Sequence, residues 1–265
     1  MAMSYLIFFI VGILAGIVGG LLGTGGCALM MPVIRFGFDF DPAFAVGTTL
    51  TAVVFTAGSG AVQHIRMGNV DKKSAWITGS SGVVGVIIGS IVFGYVKPYG
   101  DLIDLIIGIA FLLVTLRMLY EGGKGLMGAN PLPPAATGEV MPGTTMQKGL
   151  LGSFIGFLTG IIGLGGGYAL VPSFIYLFRA PIRYAIGTSM ASFVWMALIG
   201  AIFKFYQNVV NIPVAITLGV GALIGAIYGA KLVAKFKPAA LKFLFGLLFL
   251  YVSLKYIFIY FGMAI

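Results

Sequence analysis

Gly23-Thr24-Gly25-Gly26 and Gly163-Leu164-Gly165-Gly166-Gly167 lie 140 residues apart, each inside an apolar stretch and each followed by a proline, Pro32 or Pro172. Unwound backbone is tolerated at bilayer depth only where protein or a cavity surrounds it. Two breaks at matching places therefore point to a binding site shared by two half-molecules.

Composition sets the class. With 60% hydrophobic residues, 9% charged residues and a mean hydropathy of +1.09 over 265 residues, the chain is too apolar for a soluble domain and reads as an all-α polytopic membrane protein. The net charge of +9 comes from 16 Lys and Arg that cluster at the ends of apolar stretches. Membrane topology accounts for them, and nucleic acid is not implied. A single cysteine, Cys27, excludes an intramolecular disulfide and any CxxC site. The N-terminus has no basic n-region, so Tyr5-Leu6-Ile7-Phe8-Phe9 reads as a retained membrane segment.

Glu121 to Lys148 is the one stretch with linker composition, rich in Gly, Pro and polar residues. It divides the chain into an N-terminal transmembrane repeat (1–120), a linker (121–148) and a C-terminal transmembrane repeat (149–265). The halves match at a constant offset: Gly16/Gly156, Gly20/Gly160, Gly25/Gly165, Pro32/Pro172, Gly47-Thr48/Gly187-Thr188 and Lys97-Pro98/Lys237-Pro238. Glycine abundance alone does not give the Pro, Thr and Lys-Pro pairs in the same frame.

As one helix, 149–178 would span about 45 Å and 4–36 about 50 Å, beyond a single crossing. Broken at the glycines, 149–178 becomes two arms of about 20 Å each, suiting a hairpin that turns near mid-depth and returns. If both hairpins return to their side of entry, three crossings follow each, and 12 of the 16 basic residues fall on one side. A plain eight-crossing arrangement splits them evenly. The positive-inside rule then favours two inverted-topology repeats, each a glycine-broken hairpin followed by three transmembrane helices, with termini outside and the linker cytoplasmic.

In that arrangement the hairpin tips meet from opposite faces, and each tip starts a helix. The amides of Gly25, Gly26 and Cys27, and of Gly165, Gly166 and Gly167, are first-turn donors at the positive end of a helix dipole, which can hold an anion. The alternative is that these glycines only allow close helix packing. That is the expectation for Gly12, Gly16 and Gly20 and for Gly85/Gly89 with Gly225/Gly229, which repeat every four residues.

Ala45-Val46-Gly47-Thr48-Thr49 and Ala185-Ile186-Gly187-Thr188-Ser189 form a second duplicated motif. Asp41-Pro42 reads as a cap and first-turn proline, which sets Thr48, Thr49, Thr188 and Ser189 about 10 Å into their helices, near the expected tip depth. These hydroxyls either assist at an oxyanion or bond their own i−4 carbonyls. His64 and Lys204 are equivalent by the offset. They lie about 24 Å beyond the hydroxyls on straight helices and read as interfacial, or as groups at cavity mouths. The chain has no GxxxxGK[ST] loop and no constellation for catalysis or metal binding, so neither an enzyme nor a cofactor is expected.

Broken Gly-x-Gly-Gly followed by proline, then Ala-Val/Ile-Gly-Thr-Ser/Thr, duplicated over about 5–120 and 149–261, resembles the TauE/SafE family, the sulfite exporter or sulfonate permease family. The resemblance implies a prokaryotic inner-membrane transporter whose substrate is a sulfur-containing anion, sulfite or an organosulfonate. Cys27 stands where the second half has Gly167, which makes the two tips unequal. Residues 25–27, 48–49, 165–167 and 188–189 are thus the expected substrate site. Uptake of the same anions, channel conduction and a non-transporting scaffold are the alternatives.

Overall fold

The computed structural model describes residues 2–128, 141–163, 166–233 and 238–261. The described residues form helices α1 (Ala2–Leu22), α2 (Cys27–Pro32, continued by a π-helical turn, Val33–Gly37), α3 (Pro42–Arg66), α4 (Lys72–Val96), α5 (Gly100–Leu126), α6 (Thr145–Ile162), α7 (Gly167–Leu177), α8 (Ile182–Tyr206), α9 (Ile212–Leu232) and α10 (Pro238–Tyr260). Among them, α1 (from Met3), α3, α4, α5, α8 and α9 are long and apolar enough to cross a membrane. The starts of α2, α3 and α4 recur 140 residues later as those of α7, α8 and α9.

Local signals set the boundaries. Asp41 accepts the Ala43 amide at 2.9 Å with Pro42 at the first helical position, as the sequence suggests. Asp71 and Asn211 cap α4 and α9 in the same way. A capping box of Thr144 and Gln147 starts α6 before the apolar stretch begins, so this arm has 18 residues and its return, α7, has 11. The two arms are therefore unequal, about 27 and 17 Å, where the sequence suggested similar lengths.

Both broken stretches fold back on themselves. Gly26 sits against Ala15 and Gly19 of α1, and Phe38 stacks near Phe8 with ring centroids 4.2 Å apart. Gly166 sits against Ile155 and Thr159 of α6, and Phe178 approaches Lys148. These are the same positions shifted by the offset.

Small residues let backbones touch. Gly12, Gly16 and Gly20 face the carbonyls of Leu218, Ala222 and Ala226, so α1 runs parallel to α9. Gly152, Gly156 and Gly160 face Thr78, Gly82 and Val86, so α6 runs parallel to α4. The first arm of each hairpin thus packs on the other half, with van der Waals contact replacing a hydrophobic driving force that lipid does not supply. Gly60 meets Met190 and Gly200 meets Leu50, which makes α3 and α8 antiparallel. α5 and α10 form an antiparallel pair: Gly122 meets Phe243, Gly108 meets Tyr256 and Ile257, and Ser253 donates to the Gly108 carbonyl.

A methyl group at Gly16 would enter the Ala222 backbone, an overpacking that costs about 1–3 kcal/mol. At Gly149, also helical, a methyl meets nothing within 4 Å and gains helix propensity of up to about 1 kcal/mol. The thermal midpoint of purified protein is expected to fall in Gly16→Ala and to hold or rise in Gly149→Ala.

Candidate functional site

Each broken helix must satisfy the carbonyls of its last turn away from water. Gly23 and Gly163 do part of this as left-handed caps, with φ of 73° and 67° that only glycine adopts cheaply. The Gly23 amide donates to the Gly19 carbonyl at 2.8 Å, and that of Gly163 to the Thr159 carbonyl at 2.9 Å. The next carbonyl along each helix is met from α3 or α8. His64 Nε2 lies 3.2 Å from the Gly20 carbonyl, and Lys204 Nζ donates to the Gly160 carbonyl at 2.7 Å.

His64 and Lys204 are therefore neither interfacial nor at cavity mouths, as the sequence suggested. Both are fully buried. Counting along α3 from Thr48 misplaced His64 relative to the tip because α1 has 21 residues and its last turn reaches the last turn of α3, where His64 meets the Gly20 carbonyl. Among the described residues Lys204 has no carboxylate within ion-pair distance; its ammonium lies 3.0 Å from the centroid of the Phe93 ring. Helix C-termini favour a cation, so its place is electrostatically apt. The Lys204 amine thus stands one turn from the second tip.

The two tips touch. A Cβ on Gly167 would collide with the Gly23 carbonyl and Thr24 Cα, so only glycine lets the start of α7 rest on the first tip. Gly25 packs between Val53 and Phe193, and Gly166 packs on the other edge of Phe193. The Leu29 and Met30 amides return to the Gly26 carbonyl, and those of Ala169 and Leu170 to the Gly166 carbonyl, so Gly25 and Gly26 precede the first bond of α2. Cys27 Sγ is directed at the Thr24 carbonyl, at 3.6 Å. Gly165 lies outside the described residues.

The hydroxyls of the second motif divide. Ser189 donates to the Gly23 carbonyl at 3.2 Å, while Thr49 Oγ1 is buried with no hydrogen-bond partner among the described residues. Thr48 accepts the Asn211 amide at 3.0 Å and Thr188 accepts the Asp71 amide at 2.9 Å, which ties these two hydroxyls to the starts of α9 and α4 rather than to the tips.

A cavity of about 580 Å³ lies between α5, α6 and α7 and ends on the tip contact at Thr24 and Gly167. Of the expected site residues among those described, only Gly167 lines it; Gly25, Gly26, Cys27, Thr48, Thr49, Gly166, Thr188 and Ser189 are buried beside or behind the tips. Its other polar groups are Ser173, Arg117 and Glu121. Arg117 donates from Nε to Glu121 at 2.9 Å and stacks over the Tyr176 ring at 3.8 Å. At the opposite end of the α5/α10 pair, Arg35 holds the buried Asp104 through Nε (3.2 and 3.3 Å) and Nη2 (2.8 Å), and donates from Nη1 to the Phe40 carbonyl.

The family model described as Sulfite exporter TauE/SafE matches residues 8–256. The chain belongs to the TauE/SafE family. It is similar to three proteins described as probable membrane transporters. YunE of Bacillus subtilis is 27% identical, with 97% of this chain and 98% of YunE covered. A Xylella fastidiosa protein is 28% identical, covering 92% and 91%, and MJ0441 of Methanocaldococcus jannaschii is 28% identical, covering 89% of each. No solved structure matches. This TauE/SafE chain is a multi-pass membrane transporter and not an enzyme.

Sequence reasoning missed the capping of broken ends by His64 and Lys204, although Gly20/Gly160 and His64/Lys204 keep the same offset. It also missed Thr24 at the cavity end and the Arg117 cluster, which no spacing announces. Lys204→Met removes the donor to the Gly160 carbonyl, a loss of about 1–3 kcal/mol. Lys204→His can restore the bond, as His64 makes it in the other half. Thermal midpoints should drop for the first variant and largely recover for the second; equal midpoints would deny the bond this role.

Proposed function

We propose that the chain exports a sulfur-containing anion, sulfite or an organosulfonate, across the cell membrane by alternating access, with the anion held where the two tips meet. In this reading the halves are inverted-topology repeats. The antiparallel sense of α3 against α8, and the pairing of each hairpin with the opposite half, support it. The excess of basic residues puts the 121–148 linker in the cytoplasm and the termini outside.

The observation that carries the proposal is the junction of Gly167 with Gly23 and Thr24 at the end of the cavity. Two helix starts converge there, and their amides and dipoles offer an anion a weak, reversible grip. The Ser189 hydroxyl braces the first tip through the Gly23 carbonyl, and Lys204 braces the second through the Gly160 carbonyl. Thr48 and Thr188 enter as struts that fix the loops beside the tips. The family description supports a sulfite-type anion. An inside-negative potential drives a monoanion outward by about 2.3 kcal/mol per 100 mV, so export needs no coupled ion.

Alternating access needs one closed and one open end. The buried Arg35–Asp104 pair ties the return arm of the first hairpin to α5, while the second return arm borders the cavity.

In proteoliposomes, Gly167→Val is expected to reduce sulfite or methanesulfonate flux at least about tenfold, since it separates the tips; unchanged flux would remove the junction as the site. Asp104→Ala, which leaves the part-buried guanidinium only the exposed Asp39 carboxylate at 3.9 Å, should also impair flux, and the exchanged pair Arg35→Asp with Asp104→Arg should recover part of it.

A further inference from the structure

Apart from Thr24, Ser173, Arg117 and Glu121, the cavity walls are apolar, with Ile106, Phe111, Leu158, Val171 and Phe249 among them. Phe154, Leu113 and Ile109, which also line it, are exposed, so the space opens sideways between α5 and α6. A bare inorganic anion gains nothing from such walls. The polar groups stand at the two ends. From Gly167 at the tip contact to Tyr176 beneath Arg117, α7 advances about 13 Å.

Arg117 has the form of a receptor for an oxyanion. Its guanidinium carbon lies 3.8 Å over the Tyr176 ring, which holds the fork in place, and its Nε–H is the donor given to Glu121. Five N–H donors in a rigid plane match the oxygens of a sulfonate or phosphate. Glu121 is largely buried beside it and holds the fork when no anion is present. Arriving oxygens must compete with that carboxylate.

We propose that Arg117, seated on Tyr176, is a first subsite for the oxyanion head of an amphipathic organic anion on its way to the tip junction, the apolar body lying meanwhile along the walls of α5 and α7. The proposal rests on the reading of this cavity as the substrate path and names what that path selects. Each methylene buried against the walls adds about fourfold in affinity, so of the two cargo classes this subsite favours an organosulfonate with an alkyl or aryl body over sulfite. A free organic sulfonate and a lipid phosphate share this chemistry.

The test uses the full chain in phosphatidylcholine nanodiscs, titrated calorimetrically with 1-pentanesulfonate and methanesulfonate. Pentanesulfonate should bind at least about tenfold more tightly. Arg117→Gln should lose that binding at least tenfold, and Arg117→Lys should recover only part because an ammonium lacks the planar fork. Glu121→Gln should tighten binding, since the competing charge is gone; a merely structural Glu121 would weaken it. If Arg117→Gln does not fold, Ala110→Phe, which fills the cavity and keeps Arg117, must weaken pentanesulfonate and spare methanesulfonate. Equal affinity for both sulfonates, or full affinity in folded Arg117→Gln, overturns the proposal. Native mass spectrometry with added phosphatidylglycerol separates the sources: lipid retained by the native chain, lost in Arg117→Gln and not displaced by pentanesulfonate assigns the site to lipid and overturns its role in cargo selection. Tip failure reads differently, as unchanged flux in Gly167→Val with Arg117-dependent binding intact.

Discussion

A helix that stops inside a membrane bundle leaves carbonyls with no water to take them, and this constraint organises the molecule around its two breaks. The first uncapped carbonyls are met by Gly23 and Gly163 in left-handed turns, and the next by side chains from the far ends of α3 and α8. Because Gly20 and Gly160 are equivalent, their donors occupy equivalent positions. The donors are nevertheless unlike, an imidazole in one half and an ammonium in the other. The second tip therefore has a long flexible amine behind it where the first has a ring nitrogen, so equivalent geometry is closed by unequal donors.

The glycine stripes explain how the breaks are held. On α1, α4, α6 and α9 the small residues face carbonyls of the partner helix, and each hairpin's first arm is clamped to the opposite half. A clamp made by backbone contact is short-ranged and has no slack, since any added carbon must displace main chain. The tips are positioned by both halves at once, which is how Gly167 comes to rest on Gly23 and Thr24. The α5/α10 pair is held differently. It packs on itself, and polar or aromatic contacts tie it to the return arms: Arg35 to Asp104 and Phe36 to Tyr256 at one end, Tyr176 to Arg117 at the other.

The all-helical membrane class and the positions of the two breaks were legible because hydropathy, the offset of 140 and the glycine-proline signature are all local, one-dimensional signals. The helix starts at Pro42, Lys72 and Ile212 follow from capping residues whose chemistry needs no tertiary context. Depth was not legible. Placing His64 by counting residues from Thr48 assumed that the tip lies beside the start of α3, whereas α1 extends far enough to end beside its last turns. The roles of Thr48 and Thr188 were hidden for a related reason, because the amides they accept belong to residues 163 and 117 positions away. Arg117 and Tyr176 are brought together only by the return of α7, which composition does not reveal.

Equivalent positions with unequal contacts are the most informative product of the duplication. Phe36 and Tyr176 correspond by the offset, and both press on the α5/α10 pair. Phe36 does so beside a buried ion pair that bridges two elements; Tyr176 does so beneath an arginine whose carboxylate partner lies on its own helix, one turn away. A pair between elements resists separation, while a pair within one helix leaves its neighbour free to move. The cavity accordingly lies on the Tyr176 side.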